Sequence, residues 1–167
     1  ETIFPFNEFK RISLIKNAVL FKEHNVTSRS ILLSGLKSGQ HILFKKSNFP
    51  VEKINAAEVD LFFSSSFQVS NNHGKTDSHF NFNYLINDKI DPNYLSKVFY
   101  FISDFLDHCR LSGVKKVHIH SASRQPVSFI IGAAVQSHHP EVIVYEFENN
   151  KYAWGISIQN SKIIKEG

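Results

Sequence analysis

In the C-terminal two thirds of the chain, the apolar residues form several short runs and one long stripe at helical spacing. Four runs have the length and composition of strands: residues 59–66, 79–86, 116–120 and 141–147. Residues 92–111 repeat apolar positions at helical spacing, between the helix-start pair Asp91-Pro92 and the helix-stop residue Gly113. A second helix is predicted at 126–137. Strands that alternate with helices predict an α/β fold with a mostly parallel, doubly wound sheet and helices on both faces.

The two ends of the chain have different patterns. Asn149-Asn150 predicts a hairpin turn, so residues 151–159 are expected to form an antiparallel edge strand. Near the N-terminus, residues 8–21 have helical spacing, and the apolar runs 31–36 and 41–46 predict a β-hairpin. We therefore divide one compact domain into an N-terminal helix and hairpin extension, residues 1–57, and an α/β unit, residues 58–167.

Composition excludes several classes of protein. The chain has 167 residues with 7 Gly, 5 Pro and one Cys, which excludes collagen, low-complexity chains and disulfide scaffolds. The single Cys109 is typical of a reducing compartment, so a cytoplasmic location is expected. No apolar run approaches the roughly 18 residues of a membrane-spanning helix. The chain begins at Glu1 and contains no Met, which suggests a fragment of a longer protein.

Charge bears on the choice of partner. The formal net charge is +4, and no basic run is longer than a pair such as Lys45-Lys46. Proteins that bind duplex DNA carry a denser stripe of cations, because phosphate neutralisation supplies much of their affinity. The sequence therefore disfavours duplex DNA but is compatible with a small phosphate-bearing ligand.

Two loops are candidates for chemistry. Ligands of open α/β sheets bind beyond the carboxyl ends of the strands, where the strand order reverses. That rule selects residues 64–67, which follow the first strand, and residues 121–125, which join a strand to a helix N-terminus. The second loop combines a helix dipole, small hydroxyls and the Arg124 guanidinium, a chemistry suited to phosphate. The alternative is a capped helix start with an exposed arginine.

The order of segments carries a family resemblance. Residues 117–126 form a strand followed by a small-residue loop and proline, residues 128–132 continue into a helix, and residues 142–147 precede a strand that bears Tyr152. Upstream, the apolar strand at 59–66 ends in serines. In this order the chain resembles, over roughly residues 58–159, the SAVED domain, a sensor module of bacterial anti-phage defence (CBASS) related to the CARF domains of CRISPR-associated proteins.

This resemblance implies a Rossmann-like, CARF-like sensor. Such a sensor binds a cyclic oligonucleotide made by a partner synthase and then activates a fused effector. A complete SAVED domain has two CARF-like lobes, whereas this chain has room for one and an extension. The resemblance therefore implies a homodimer or higher oligomer. It also implies an effector segment outside this chain, with a tether to the inner membrane as one form of it.

The family roles, transferred to matching positions, suggest a ligand site. Serines 64, 65 and 66 would line its floor, and the loop at 121–125 would hold phosphate, with His120 in the pocket. Phe67 is expected either to stack on a base or to belong to the core. Lys75 and His79 would lie in a loop that closes over the ligand. The complete predicted set is Ser64, Ser65, Ser66, Phe67, Lys75, His79, His120, Ser121, Ser123, Arg124 and Gln125.

The histidines and serines also raise the question of a metal site or a catalytic triad. His118 and His120 share one strand face but lack an evident third metal ligand, and we expect His118 to face a covering helix and His138-His139 to cap a helix end. Ser64 or Ser121 with His120 and an acid could form a triad, yet no nucleophile elbow, Walker A loop or dinucleotide fingerprint is present. No catalytic residue, metal or cofactor is predicted. A ring nuclease that degrades a cyclic oligonucleotide, and an interaction domain without a ligand, remain the alternatives.

Overall fold

The computed structural model describes residues 50, 52–86, 90 and 92–165. They form six strands and two α-helices, in the order β1 (Glu58–Ser64), β2 (His79–Asn83), α1 (Pro92–Leu111), β3 (Lys116–Ala122), α2 (Gln125–Ala134), β4 (Glu141–Glu148), β5 (Lys151–Ser157) and β6 (Lys162–Lys165). The helix expected at 8–21 and the hairpin expected at 31–46 lie outside the described residues. The long helix has the bounds predicted from the apolar stripe, and Gly113 follows it with φ of 87°.

The strands form one sheet in the order β2-β1-β3-β4-β5-β6. The first four are parallel, and β5 and β6 are antiparallel. The prediction of an α/β fold with a mostly parallel sheet is confirmed. The chain moves outward from β1 to β2, returns through α1 to β3, and continues through α2 to β4. The strand order therefore reverses between β1 and β3, and their adjacent ends define the switch point of the sheet.

The β4–β5 connection is the predicted hairpin. Asn149 and Asn150 have φ of 52° and 64°, as a two-residue turn of type I′ requires. The prediction that β5 is an edge strand is wrong, because β6 pairs with it in antiparallel register. Four residues with two central isoleucines give too short a pattern to be identified as a strand from sequence.

One face of the sheet, called the helix face, is packed against α1 and α2. Val59, Leu61 and Phe63 of β1 point to this face and are buried with apolar residues of both helices. Phe63 stacks on Phe82 of β2 with ring centroids 4.2 Å apart. Both helices cover one face because their connections run in the same direction across the sheet, and right-handed crossovers then fall on the same side. Among the described residues, helices therefore cover one face of the sheet, and the expectation of helices on both faces is met only in part.

The opposite face is covered by the β1–β2 connection, residues 65–78, which we call the strap. The strap contains a single 3₁₀ turn, Asn71–His73, capped by the Ser70 side chain. Its Val69 is buried in a second, smaller cluster with Phe62, Tyr145 and Tyr152. The connection from β1 to β2 runs in the opposite direction to the helical connections, so the same handedness rule places it on this strap face.

Candidate functional site

The two loops selected at the sequence level meet at the switch point. The backbone N–H groups of Ser65 and Ser66 donate to the carbonyl oxygen of Ala122 at 3.1 and 2.7 Å. Ser64 and Ala122 are also register partners at the ends of β1 and β3. We call this end of the parallel strands the carboxyl edge.

Ser64 and Ser65 form hydrogen bonds that stabilise this edge. The Ser64 hydroxyl accepts a hydrogen bond from the Val69 N–H at 2.9 Å. The Ser65 hydroxyl lies 2.7 Å from the hydroxyl of Tyr94, which donates to the carbonyl oxygen of Tyr84. Burial raises the pKa of Tyr94 to about 12, so its hydroxyl stays protonated. Ser64 and Ser65 are buried, whereas Ser66 is half-buried. Contact of these serines with a ligand stays a prediction.

A chain of three hydroxyls lies at the start of α2. Ser121 Oγ is 2.7 Å from Ser123 Oγ, which is 3.0 Å from Ser128 Oγ. Arg124 occupies the N-cap position without a side-chain capping bond, and Arg124 and Gln125 are exposed. Hydroxyls, a guanidinium and a helix N-terminus together can hold an anion. Sequence reasoning did not include Ser128, although its place one turn into the helix was a usable signal.

Lys75, His79 and His120 of the predicted set lie on the strap face instead. His79 is the register partner of Asp60, four positions before Ser64 along β1. At about 3.3 Å per residue, that places His79 about 13 Å from the carboxyl edge. The Lys75 backbone N–H donates to Asp60 at the same level, but its side chain extends along the strap face, with Nζ 5.0 Å from the Tyr145 ring centroid and 3.5 Å from the Tyr152 carbonyl oxygen. His79 therefore lies away from the loop at 121–125, whereas the Lys75 ammonium reaches Tyr152, whose hydroxyl donates to the carbonyl oxygen of Ser121.

Asp60 organises the strap face. Its fully buried carboxylate accepts hydrogen bonds from the N–H groups of Lys75 and Thr76, from the Thr76 hydroxyl and from His120 Nε2, at 2.7 to 3.0 Å. Burial acts to raise the pKa of Asp60, but these hydrogen bonds outweigh it and lower the pKa to about 2. Asp60 was absent from the predicted set. Its signal in the sequence was an acid between the apolar residues Val59 and Leu61.

His120 is enclosed under the strap. Its ring stacks between Phe62 and Tyr145, with centroids 5.1 and 5.0 Å away, and its side chain is fully buried. Burial lowers the pKa of His120 despite the nearby Asp60 carboxylate, so a neutral ring donates from Nε2. His120 Nδ1 has no hydrogen-bond partner among the described residues. Contact between His120 and a ligand would require displacement of the strap.

His118 lies on the strap face as well. The expectation that it faces a covering helix is wrong, because α1 and α2 lie on the side of Val117 and Ile119. Its Nδ1 is 2.8 Å from the Tyr145 hydroxyl and its Nε2 is 2.7 Å from Glu58. Both ring nitrogens are therefore engaged in hydrogen bonds, which does not favour a metal ion shared with His120.

A second histidine cluster lies beyond the end of α2. Ligand atoms of Asp107, His138 and His139 are within 4.8 Å of one another. The Gln136 N–H donates to His139 Nδ1 at 2.9 Å, so the neutral ring carries its proton on Nε2, which faces Asp107 at 2.9 Å. A protonated nitrogen has no lone pair for a metal. These contacts instead join the turn after α2 to Asp107 of α1. The helix α2 itself stops at Ala134, three residues before the predicted end at 137.

The triad of Ser64 or Ser121 with His120 and an acid is not assembled among the described residues. The hydroxyls of Ser64 and Ser121 are bonded to Val69 and Ser123, and His120 is bonded to Asp60. In the described part of the chain, no serine hydroxyl is hydrogen-bonded to His120, as a nucleophile would be to its base. Anion binding at the carboxyl edge stays a prediction.

One comparison with known protein families agrees with the sequence resemblance. The family model for the SAVED domain, "SMODS-associated and fused to various effectors sensor domain", matches residues 84–158. This segment includes α1, β3, the loop at 121–125, α2 and the β4–β5 hairpin. No curated protein matches the chain.

A solved structure is also similar to this chain. It is the Acinetobacter baumannii Cap4 SAVED/CARF-domain containing receptor with the cyclic trinucleotide 3'3'3'-cAAA, with 10% sequence identity and a TM-score of 0.49. The match covers 64% of this chain and 26% of that receptor. No helix in the described part of the present chain is long and apolar enough to cross a membrane. Residues 84–158 of this chain are therefore similar to the SAVED sensor-domain family.

Proposed function

We propose that this chain senses a cyclic oligonucleotide second messenger at the carboxyl edge and thereby controls an effector in anti-phage defence. The observation that carries the proposal is the SAVED match, which contains the loop at 121–125. The strand order supports it, because that loop lies at the switch point where α/β sheets bind ligands.

The ligand's phosphate is assigned to the start of α2. Arg124 supplies a guanidinium that can bind phosphate through two parallel hydrogen bonds. Ser121, Ser123 and Ser128 form a hydroxyl chain whose members can turn to donate to an anion. Gln125 is exposed beside them and completes the polar rim.

The wider role follows the family. A partner synthase makes the ligand, and an effector segment outside this chain responds to it. Since one lobe encloses a ligand on one side, a second copy of the chain would cover the other side, which gives a homodimer or higher oligomer. Lys75, His79 and His120 would act through movement of the strap and not through direct contact with phosphate.

The melting temperature of the chain, measured against cyclic di-, tri- and tetranucleotides with linear dinucleotides as controls, tests the proposal. A ligand at a hundredfold excess over its Kd stabilises the native state by about 2.7 kcal/mol. We expect a shift with one cyclic species that is lost in Arg124→Ala and kept in Arg110→Ala, which removes an exposed arginine from the last turn of α1. No shift with any cyclic species would contradict the proposal.

A further inference from the structure

Two aromatic rings are exposed at the carboxyl edge. The side chain of Phe67, in the strap, is 51% exposed, and that of Phe147, near the end of β4, is 37% exposed. Their ring centroids are 6.3 Å apart with planes inclined by 60°. The expectation that Phe67 belongs to the core is therefore wrong, and the pair presents an aromatic surface to solvent.

The pair is connected to both loops of the proposed phosphate site. Phe67 directly follows Ser66, whose N–H is bonded to the carbonyl oxygen of Ala122. Phe147 packs on Tyr152 with centroids 5.0 Å apart, and the Tyr152 hydroxyl donates to the carbonyl oxygen of Ser121 at 3.2 Å. The aromatic surface and the hydroxyl chain therefore share one rim of the sheet.

A β-bulge holds Phe147 in this position. Glu146 pairs with Trp154 and Phe147 with Tyr152, so Ala153 is an extra residue on β5. The bulge sets the Tyr152 ring opposite Phe147 on the strap face. His73 of the strap packs against the Phe147 ring, with centroids 5.7 Å apart. Phe147 is thus held on two sides, whereas the described ring contact of Phe67 is with Phe147 alone.

The geometry of the pair decides how a planar group can bind. A base between two parallel rings needs centroids about 7 Å apart, twice an ordinary carbon contact distance. At 6.3 Å and 60°, the rings already meet edge to face and leave no parallel slot. A planar group can instead stack on the outward face of Phe67. The exposed carboxylates Glu146 and Glu148 flank Phe147, so an uncharged base suits this end better than a phosphate.

We infer, on the basis of the proposed function, that Phe67 is the platform on which a base of the nucleotide ligand stacks. Phe147 is a positioning residue that fixes the plane of the Phe67 ring. The anionic part of the ligand lies on Arg124 and the hydroxyl chain, and the base reaches across the ends of β3 and β1 to Phe67. Stacking of this kind tolerates different bases, so it contributes affinity more than base identity.

The test uses the cyclic species that shifts the melting temperature of the unmodified chain, and measures its Kd by titration. Phe67→Ala is expected to weaken binding by about 5- to 150-fold, the range for loss of one aromatic stacking contact. Phe67→Tyr, which keeps the ring, should bind within about threefold of the unmodified chain. The matched control is Leu111→Ala, which removes a 73% exposed apolar side chain at the far end of α1 and should leave Kd unchanged.

The positioning role of Phe147 is tested by a double-mutant cycle. Phe147→Ala is expected to weaken binding less than Phe67→Ala, and the double variant to bind no worse than Phe67→Ala, because Phe147 acts through Phe67. Additive losses in the double variant would overturn the positioning role and show that both rings contact the ligand.

Fluorescence of Phe67→Trp gives a direct readout of stacking. Ligand should quench the new indole beyond the change that Trp154 shows in the unmodified chain. If Arg124→Ala abolishes binding while Phe67→Ala binds normally and the indole is not quenched, the inference is overturned and the proposed function stands. If the unmodified chain binds no cyclic species, both are overturned.

Discussion

The two faces of the sheet are closed by different kinds of interaction. On the helix face, α1 and α2 bury an almost entirely apolar set of side chains, including the stacked rings of Phe63 and Phe82. On the strap face, fourteen residues without a long helix are held by a buried carboxylate, Asp60, and by aromatic rings around His120. Closure of the helix face depends on apolar area, and closure of the strap face depends on protonation states.

The largest expected effect lies on the helix face. Phe63→Ala removes a fully buried ring and its stacking partner for Phe82, so it should lower the free energy of unfolding by about 3–5 kcal/mol. Urea unfolding at pH 7 and at pH 5 measures this loss. The loss should be the same at both pH values, because Phe63 is buried within the apolar cluster formed by the described residues. A pH-dependent loss would contradict the contrast between the two faces.

The corresponding change on the strap face is Asp60→Asn. The amide keeps the shape of the side chain but replaces one acceptor oxygen by an NH₂ group. That group would face the N–H donors that the carboxylate now binds, so the free energy of unfolding should fall by about 3 kcal/mol. Asp77→Asn is the matched control, because Asp77 is exposed in the same strap, and it should change stability by less than about 0.5 kcal/mol. Equal stability of the two variants would show that the strap is held by its apolar contacts.

Acid should weaken the contacts that hold the strap face. His120 has a lowered pKa in the fold, so the unfolded chain binds more protons as pH falls below about 6.5, and stability declines. Asp60 has a pKa of about 2 against an ordinary 3.8, so its contribution of about 2 kcal/mol is present above pH 4 and lost as pH falls toward 2.

Denaturant unfolding between pH 7 and pH 2.5 measures this dependence in the unmodified chain and in Asp60→Asn. The lower step should be absent from the variant, whereas His139 and Glu141 contribute to both proteins and cancel in the difference. Parallel pH curves for the two proteins would contradict the assignment of the lower step to Asp60.

Local sequence patterns accounted for the helix face and for the hairpin. The stripe that ends in Phe105 and Leu106 specified α1, and Asn149-Asn150 specified the turn, because each pattern acts on its own neighbours. The strap face was not predictable in this way. Asp60 is bonded to residues fifteen, sixteen and sixty positions away, and the face that His118 occupies depends on the handedness of connections elsewhere in the chain.

The candidate site was predictable in part for a similar reason. The switch-point rule selected both loops from the order of elements alone. It could not show that Ser64 and Ser65 already use their hydroxyls within the protein, nor that His79 lies opposite Asp60, four positions before Ser64 on β1. Exposure of Phe67 and the bulge that places Phe147 next to it are also consequences of tertiary packing.

The strand β6 has consequences for association between copies. Within the described part of the chain it pairs on one side with β5, and its sequence places Lys162 and Lys165 around Ile163 and Ile164. In an antiparallel edge-to-edge pairing of two copies, these lysines would face each other and repel, as charged gatekeeper residues do on natural edge strands. Within the described part of the chain, the two lysines therefore disfavour both fibril-like growth and dimer formation through β6.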